Sequence, residues 1–186
     1  ARSSAKIETD FGGFSGSNTM LRIRQAYVNL DWGKSAVLVG ITWHPLFGAV
    51  MPDVLNLSTG APFQPFNRSP QIRYQYKANS RVQLMASVLW QLQYLSSGPK
   101  GMSEDYIKNS CIPEMFVGAD FTPADGWLMG LGAHMISLKP RTSTEWKEQT
   151  FKVNERMTAF SYEAHLKYSG RNYTFAAKTL MASALD

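Results

Sequence analysis

Apolar and polar residues alternate along most of the chain with the period of two that is typical of β-strands with one apolar face. The clearest segment is 81–94, where Val82 and Trp90 lie on one face and Gln83 and Gln91 on the other. Similar alternation occurs at 6–11, 70–77, 114–121, 126–138, 157–168 and 171–181. With the less regular segments 20–32 and 35–43, the pattern predicts nine strands.

The two less regular segments differ in what their pattern indicates. Arg22 and Arg24 share their parity with Val28 and Leu30, so the apolar face of the second strand changes sides partway. We expect a β-bulge near Gln25, because one extra residue reverses the alternation. Segment 35–43 is mostly Val, Leu and Ile, and its pattern does not decide which side faces which environment.

The connections between the predicted strands alternate in length. Residues 32–35, 78–80, 123–126 and 169–171 have the Gly, Asn, Asp and Ser chemistry of tight turns. Residues 44–68, 96–112 and 141–156 form long connections between them. This order predicts a single β domain over 1–186, built as an up-and-down meander with short turns at one end and long loops at the other.

Composition removes several classes of protein. Of 186 residues, 18% are charged and 12% are aromatic, which argues against intrinsic disorder. No segment approaches the roughly 18 apolar residues of a membrane-spanning helix. The net charge is +5, but Lys and Arg are scattered, so we expect no nucleic-acid partner. The single Cys111 excludes a disulfide framework and a multi-cysteine zinc site.

The apolar face has two candidate environments. In a soluble β-barrel it turns inward and binds a small apolar ligand, whereas in a membrane barrel it faces lipid. Trp and Tyr at strand ends, among them Trp32, Trp43 and Tyr168, favour lipid, and so do segments of about 9–12 residues. We therefore predict an all-β, antiparallel up-and-down transmembrane β-barrel with membrane lipid as its partner.

Two segments carry a resemblance to a known family. Residues 20–47 are MLRIRQAYVNLDWGKSAVLVGITWHPLF, and residues 59–76 are TGAPFQPFNRSPQIRYQY. Arg22–Tyr27, Val39–Trp43 and Asn67–Arg73 match an Arg-x-Arg-x-Ala-Tyr strand, a Val-Gly-x-Thr-Trp strand and a loop ending in Asn-Arg-Ser-Pro-Gln-Ile-Arg. The chain thus resembles the porin-like channels of Gram-negative outer membranes, especially those of Bacteroidota, and YIKNSCIPEM at 106–115 extends the similarity.

The resemblance implies an outer-membrane location, a barrel of about 16 or 18 strands and a homotrimer. Nine strands is an odd number, whereas single-chain bacterial barrels have an even number. The last residues, Met181 to Asp186, also lack the terminal aromatic residue usual in such barrels. We therefore expect the chain to be the N-terminal part of a larger barrel.

The predicted function is passive diffusion of small hydrophilic solutes through the barrel. The pore-lining residues that we expect are Arg22, Arg24, Arg73, Gln75, Lys77, Gln91, Glu163, His165 and Lys178. Arg22, Arg24 and Arg73 are candidates for charge selection, and the basic surplus predicts a mild anion preference. The alternative for these arginines is pairing with Glu8, Asp10 or Asp53 across the wall.

The 44–68 loop is too apolar for free solvent, so we expect it to fold inward and narrow the pore. Its constriction residues would be Leu46, Phe47, Met51, Asp53 and Phe63. The alternative is an external loop that packs on neighbouring loops or subunits.

Catalytic chemistry has little support in the sequence. His134 and His165 are expected to be neighbours on adjacent strands, but without a third ligand they do not indicate a metal site. Gly130 and Gly132 indicate close packing. We predict no enzyme activity, cofactor or metal, and a soluble carrier of an apolar ligand or an outer-membrane enzyme or adhesin remain the alternatives.

Overall fold

The computed structural model describes residues 1–11, 21–51, 54–55, 64–92 and 94–183. Of the predicted constriction residues, Asp53 and Phe63 lie outside the described residues.

Nine strands form one antiparallel sheet in which each strand pairs with the next along the chain. They are β1 (Arg2–Phe11), β2 (Leu21–Asp31), β3 (Ser35–Trp43), β4 (Arg68–Lys77), β5 (Val82–Leu89), β8 (Glu114–Phe121), β9 (Trp127–Leu138), β12 (Met157–Ser169) and β13 (Thr174–Met181). The all-β, antiparallel meander predicted from alternation is confirmed. The sheet is open, and β1 and β13 form its edges.

Small elements occupy the long connections. A 3₁₀ turn, Pro45–Phe47, follows β3. The connection between β5 and β8 holds the hairpin β6 (Ser97–Gly98) and β7 (Gly101–Met102) and the helix α1 (Asp105–Ser110). The connection between β9 and β12 holds the hairpin β10 (Ser143–Trp146) and β11 (Gln149–Lys152). In the described ranges, no helix is long and apolar enough to cross a membrane.

The bulge predicted near Gln25 is present. Glu8 lies opposite Gln25 but the next residue, Thr9, lies opposite Ile23, so Arg24 is the extra residue of β2. Beyond the bulge, the side chain of Gln25 donates a hydrogen bond to Glu8, Nε2 to Oε2 2.8 Å. Arg24 and Gln25 therefore share the polar side of the sheet despite being consecutive.

The register also settles the orientation of β3. Thr42 donates a hydrogen bond from its hydroxyl to Gln25 on the polar side, Oγ1 to Oε1 2.9 Å. Val39, on the opposite parity, is exposed on the apolar side. Gly40 has a φ of +135° and lies opposite Tyr27, where a Cβ atom would collide with that residue.

The two sides of the sheet have the reverse of the usual burial. On one side the exposed apolar residues extend across all nine strands: Ile7, Phe11, Ile23, Val28, Val39, Ile72, Leu84, Val88, Val117, Leu131, Phe160, Tyr162, Phe175 and Met181. On the other side polar residues are buried: Gln25, Thr42, Gln71, Ser87, Glu114, His134, Ser161, Glu163 and His165. An apolar patch this extended exceeds what soluble monomers normally expose.

The sheet curls around its polar side. Lys178 on β13 donates a hydrogen bond to the carbonyl oxygen of Leu46, only three residues beyond the end of β3. Between β3 and β13 lie six strand spacings, about 29 Å in a flat sheet. Three residues of extended chain span at most about 11 Å. Even with a fully extended lysine the contact therefore requires strong curvature, and the polar side is the concave one.

A small apolar cluster interrupts the concave face. Phe116, which breaks the polar alternation of β8, is buried with Leu46 and Leu89. Met85 and Leu180 pack against the same cluster from β5 and β13. The apolar exceptions on the polar face thus lie where the chain after β3 contacts it.

Helix α1 packs at one end of the sheet. Its residues Tyr106 and Ile107 are buried against Ile136 and Leu138 of β9. The Tyr106 backbone carbonyl also accepts a hydrogen bond of 2.9 Å from the amide of Lys139. This contact positions the start of β8, where Glu114 enters the concave face.

Candidate functional site on the concave face

The chain turns onto the concave face immediately after β3. His44 caps the 3₁₀ turn, because its Nδ1 accepts a hydrogen bond of 3.2 Å from the Leu46 amide. Pro45 begins the turn, where its missing N–H group costs nothing. Phe47 stacks on Trp43 with ring centroids 4.5 Å apart. Leu46 is fully buried, whereas Met51 is partly exposed.

Lys178 fastens this turn to β13. Its ammonium group donates hydrogen bonds to the carbonyl oxygens of Leu46 and Phe47, at 2.8 and 2.7 Å. It also donates a bond of 3.0 Å to the side-chain oxygen of Gln64, near the other end of the same connection. One side chain thus contacts both arms of the connection between β3 and β4.

Three buried side chains meet beneath the turn. His44 Nε2 lies 3.3 Å from Glu114 Oε2, and His134 Nε2 lies 3.2 Å from the same oxygen. The two imidazole rings meet edge to face, with centroids 5.0 Å apart. Burial lowers the pKa of His44, and the hydrogen bond to Glu114 opposes that shift.

A second cluster forms around His165. Its Nε2 lies 3.3 Å from Asp120 Oδ1, and its Nδ1 lies 3.1 Å from Glu163 Oε2. A Cβ atom at Gly130 would fall on the His165 ring, and one at Gly132 would lie 2.6 Å from the ring of Phe116. The expected close packing at both glycines is confirmed.

The prediction that His134 and His165 are neighbours is wrong. In the pairing of β9 with β12, His134 lies opposite Ser161, and His165 lies opposite Gly130. The two positions are therefore four residue steps apart on β9, about 13 Å along the strand. His134 instead contacts Glu114, and His165 contacts Asp120 and Glu163.

The arginines divide into two groups. Arg22 pairs with Asp10 at 2.6 Å, and Arg24 contacts both Glu8 and Asp10, at 3.0 and 3.2 Å. These are the pairs across the wall that the sequence left open as an alternative. Arg73 instead donates a hydrogen bond of 2.7 Å to the Trp43 carbonyl, where the chain leaves β3.

The remaining predicted pore residues have varied surroundings. Gln75 borders a cavity of about 370 Å³ between the turn and the wall. Lys77 is exposed at the end of β4. Gln91 is buried, and it donates a hydrogen bond of 2.7 Å to the hydroxyl of Ser96. Glu163 and Lys178 lie under the turn, beside Gly48.

His44, Glu114 and Asp120 are site residues that sequence reasoning did not select. Glu114 and Asp120 share the polar parity of β8, so the alternation was enough to predict that both side chains lie on the polar face. Their partners could not be predicted, because His44 reaches Glu114 only through the fold of a long connection. A cavity of about 250 Å³ opens beside His44, Glu114 and His134. Gln91 and Tyr94 also border it.

Comparison of the chain with protein-family models, with curated proteins and with solved structures gives no match.

Proposed function

We propose that the protein forms the wall and the constriction of an outer-membrane β-barrel channel. Small hydrophilic solutes diffuse passively through this channel. The observation that carries the proposal is the reversed polarity of the sheet: an exposed apolar convex side and a polar concave side. Outer-membrane barrels have this arrangement, with lipid outside and water inside. No bond is made or broken in such a function.

The convex side has the chemistry of a lipid-facing surface. Its exposed residues come from every strand of the sheet, so the apolar surface is continuous. Trp127, Tyr168 and Tyr173 form an aromatic group at the short-turn end, with successive ring centroids 4.8 and 5.6 Å apart. Amphipathic rings at this height match the aromatic belts at membrane–water boundaries.

The concave side supports passage of polar solutes with a constriction. The turn Pro45–Phe47 lies against it, held by Lys178, and occupies space enclosed by the curled sheet. We infer that Leu46 and Phe47 belong to the narrowest part of the channel. The charged clusters beside the turn would then lie along the solute path.

A mild anion preference is the proposed selectivity. Arg22 and Arg24 are neutralised by Glu8 and Asp10. Among the described residues, Lys77 makes no ion pair with a carboxylate. The same holds for Lys167, Lys178 and Arg73 within the described ranges. These four cations outnumber Glu114, Asp120 and Glu163, whose ion-pair partners in those ranges are histidines, and leave a small basic surplus on the concave side.

A soluble carrier of an apolar ligand is less well supported. Such a carrier needs apolar side chains around its ligand, whereas here they lie on the convex side. The location in the outer membrane of a Gram-negative bacterium, the larger barrel of about 16 or 18 strands and the homotrimer are part of the proposal. They are supported by the sequence resemblance alone.

The test is fractionation followed by electrical recording. The full-length protein should remain in the outer-membrane fraction until detergent is added. After insertion into a planar bilayer it should give steady conductance steps. In a salt gradient, its reversal potential should have the sign expected of an anion-selective channel. Recovery from the soluble fraction would overturn the membrane proposal, and an inserted but non-conducting protein would overturn the channel. Cation selectivity would overturn only the anion preference.

A further inference from the structure

We propose that His44, Glu114 and His134 form a binding site for a divalent transition-metal ion of the zinc class. The three side chains come from separate parts of the chain: the connection after β3, the start of β8 and the middle of β9. Each offers one ligand atom, and these atoms all lie within 4.8 Å of one another. The site stands on these residues and does not depend on the proposed channel.

The distances agree with those around a zinc ion. Zinc bonds to imidazole nitrogen and carboxylate oxygen measure about 2.0–2.1 Å, so neighbouring ligand atoms of a tetrahedral site lie roughly 3.3 Å apart. In the cluster, Glu114 Oε2 lies 3.3 Å from His44 Nε2 and 3.2 Å from His134 Nε2. Two edges of the tetrahedron are therefore already formed.

The chemistry of the donors selects the metal. Two imidazoles and one carboxylate suit zinc and its transition-metal neighbours, whereas calcium and magnesium prefer oxygen ligands throughout. The side chains are almost fully buried, at 3, 4 and 1% exposure for His44, Glu114 and His134. The buried carboxylate of Glu114 carries a negative charge, which a divalent cation offsets.

A fourth coordination position is open. The cavity of about 250 Å³ borders all three residues and also Gln91 and Tyr94. A metal with three protein ligands keeps its remaining position for water or another small ligand, as in catalytic rather than structural zinc sites. We therefore expect an exchangeable ligand at this metal, with access from the cavity.

The position of the ring proton of His44 links metal binding to the turn Pro45–Phe47. Because His44 Nδ1 accepts a hydrogen bond from the Leu46 amide, its proton lies on Nε2, facing Glu114. Metal binding requires a free lone pair on Nε2, so that proton moves to Nδ1 and the bond to Leu46 is lost. The buried Leu46 amide is then left without this acceptor, a cost that the bonds to the metal must exceed.

His134 makes the same change, and the one bond that it loses, from Nε2 to Glu114, is replaced by the metal. Its Nδ1 is buried and has no hydrogen-bond partner among the described residues. A proton on Nδ1 therefore displaces no hydrogen bond when Nε2 binds the metal. Apart from the two hydrogen bonds to Glu114, which the metal replaces, occupancy of the site opposes only the bond between His44 and Leu46.

The test uses the full-length protein without a histidine tag, stripped with a chelator and titrated with zinc chloride by calorimetry. We expect one zinc ion per chain with a dissociation constant of micromolar or lower. His134→Gln should weaken zinc binding at least tenfold, because the loss even of a group that only supports a ligand costs about 10–100-fold. His165→Gln is the matched control, because His165 is also buried on the concave face but belongs to the other cluster.

Cobalt substitution tests the geometry on the unmutated protein, so the proposal stays testable if a variant fails to fold. Bound Co²⁺ should give the intense visible bands of a four-coordinate site, and excess zinc should remove them. Absence of zinc binding, weak bands of a six-coordinate ion, or equal loss of affinity in both histidine variants would overturn the proposal. The three residues would then be a hydrogen-bonded cluster only. None of these outcomes bears on whether the protein conducts ions.

Discussion

Lys178 on β13 donates a hydrogen bond of 2.8 Å to the carbonyl oxygen of Leu46, which lies 132 positions earlier in the chain. The bond joins an edge strand to the turn after the third strand of the sheet. The contact requires that the sheet curve and that the turn lie on its concave side. The charge of the lysine strengthens the bond, because ammonium donors bind carbonyl oxygens more strongly than neutral donors do.

Replacing Lys178 by methionine should release the turn from β13. The variant loses charge-assisted hydrogen bonds worth about 1.5–3 kcal/mol each, while the aliphatic stem is kept. In single-channel recordings we expect larger and noisier conductance, because the turn no longer holds one position. Lys152→Met removes an exposed lysine of the β10–β11 hairpin, outside the nine-stranded sheet, and serves as the control. Equal conductance in the two variants would contradict a constricting role for the turn.

Replacing Leu131 by arginine tests whether the convex side faces lipid. Leu131 lies near the middle of β9 and is 68% exposed. An arginine at the bilayer midplane destabilises an outer-membrane barrel by about 2–4 kcal/mol. We expect a smaller folded fraction in urea titrations with lipid vesicles.

The control for that prediction is Gln75→Arg, which places the same side chain beside the concave cavity. It should fold as the unmutated protein does. If Leu131→Arg folds equally well and becomes more soluble without detergent, the convex side faces water or another protein.

Replacing Phe116 by alanine should weaken the apolar contacts that hold the turn Pro45–Phe47 against the sheet. The Phe116 ring is buried with Leu46 and Leu89, and removing a buried phenylalanine typically costs about 3–5 kcal/mol. We expect a lower apparent melting temperature and larger current fluctuations. Phe121→Ala removes an exposed phenylalanine from the same strand and should have the smaller effect on both measurements. A larger effect at Phe121 would show that the cluster does not support the turn.

Replacing Gly130 by alanine should disturb the His165 cluster. The new methyl group would fall on the His165 ring and lie 2.6 Å from Asp120 Oδ1, so these side chains must move. Overpacking of this kind costs about 1–3 kcal/mol, which a lower apparent melting temperature would reveal. Ala119→Val adds a larger group on the exposed convex side and should leave the melting temperature nearly unchanged. Unchanged stability of Gly130→Ala would mean that His165 has space to shift.

The alternation of side chains was sufficient to predict the nine strands, their order and, in the regularly alternating strands, the two faces of the sheet. Successive side chains of a strand point to opposite sides, so a pattern such as that of β12 assigns each residue to a face without knowledge of the rest. The bulge in β2 was predictable for the same reason, since Arg22 and Val28 share a parity that a regular strand cannot accommodate. These properties are local, and the sequence by itself determined them.

The candidate site depended on the tertiary structure. Glu114 and His134 could be assigned to the polar face from the alternation. His44 joins them only because the chain after β3 folds onto that face. The separation of His134 from His165 depends on the register of β9 and β12, which alternation does not specify. Contacts such as that of Lys178 with Leu46 depend on curvature summed over six strand spacings. Period-two patterning assigns side chains to faces, and only the assembled sheet decides which of them meet.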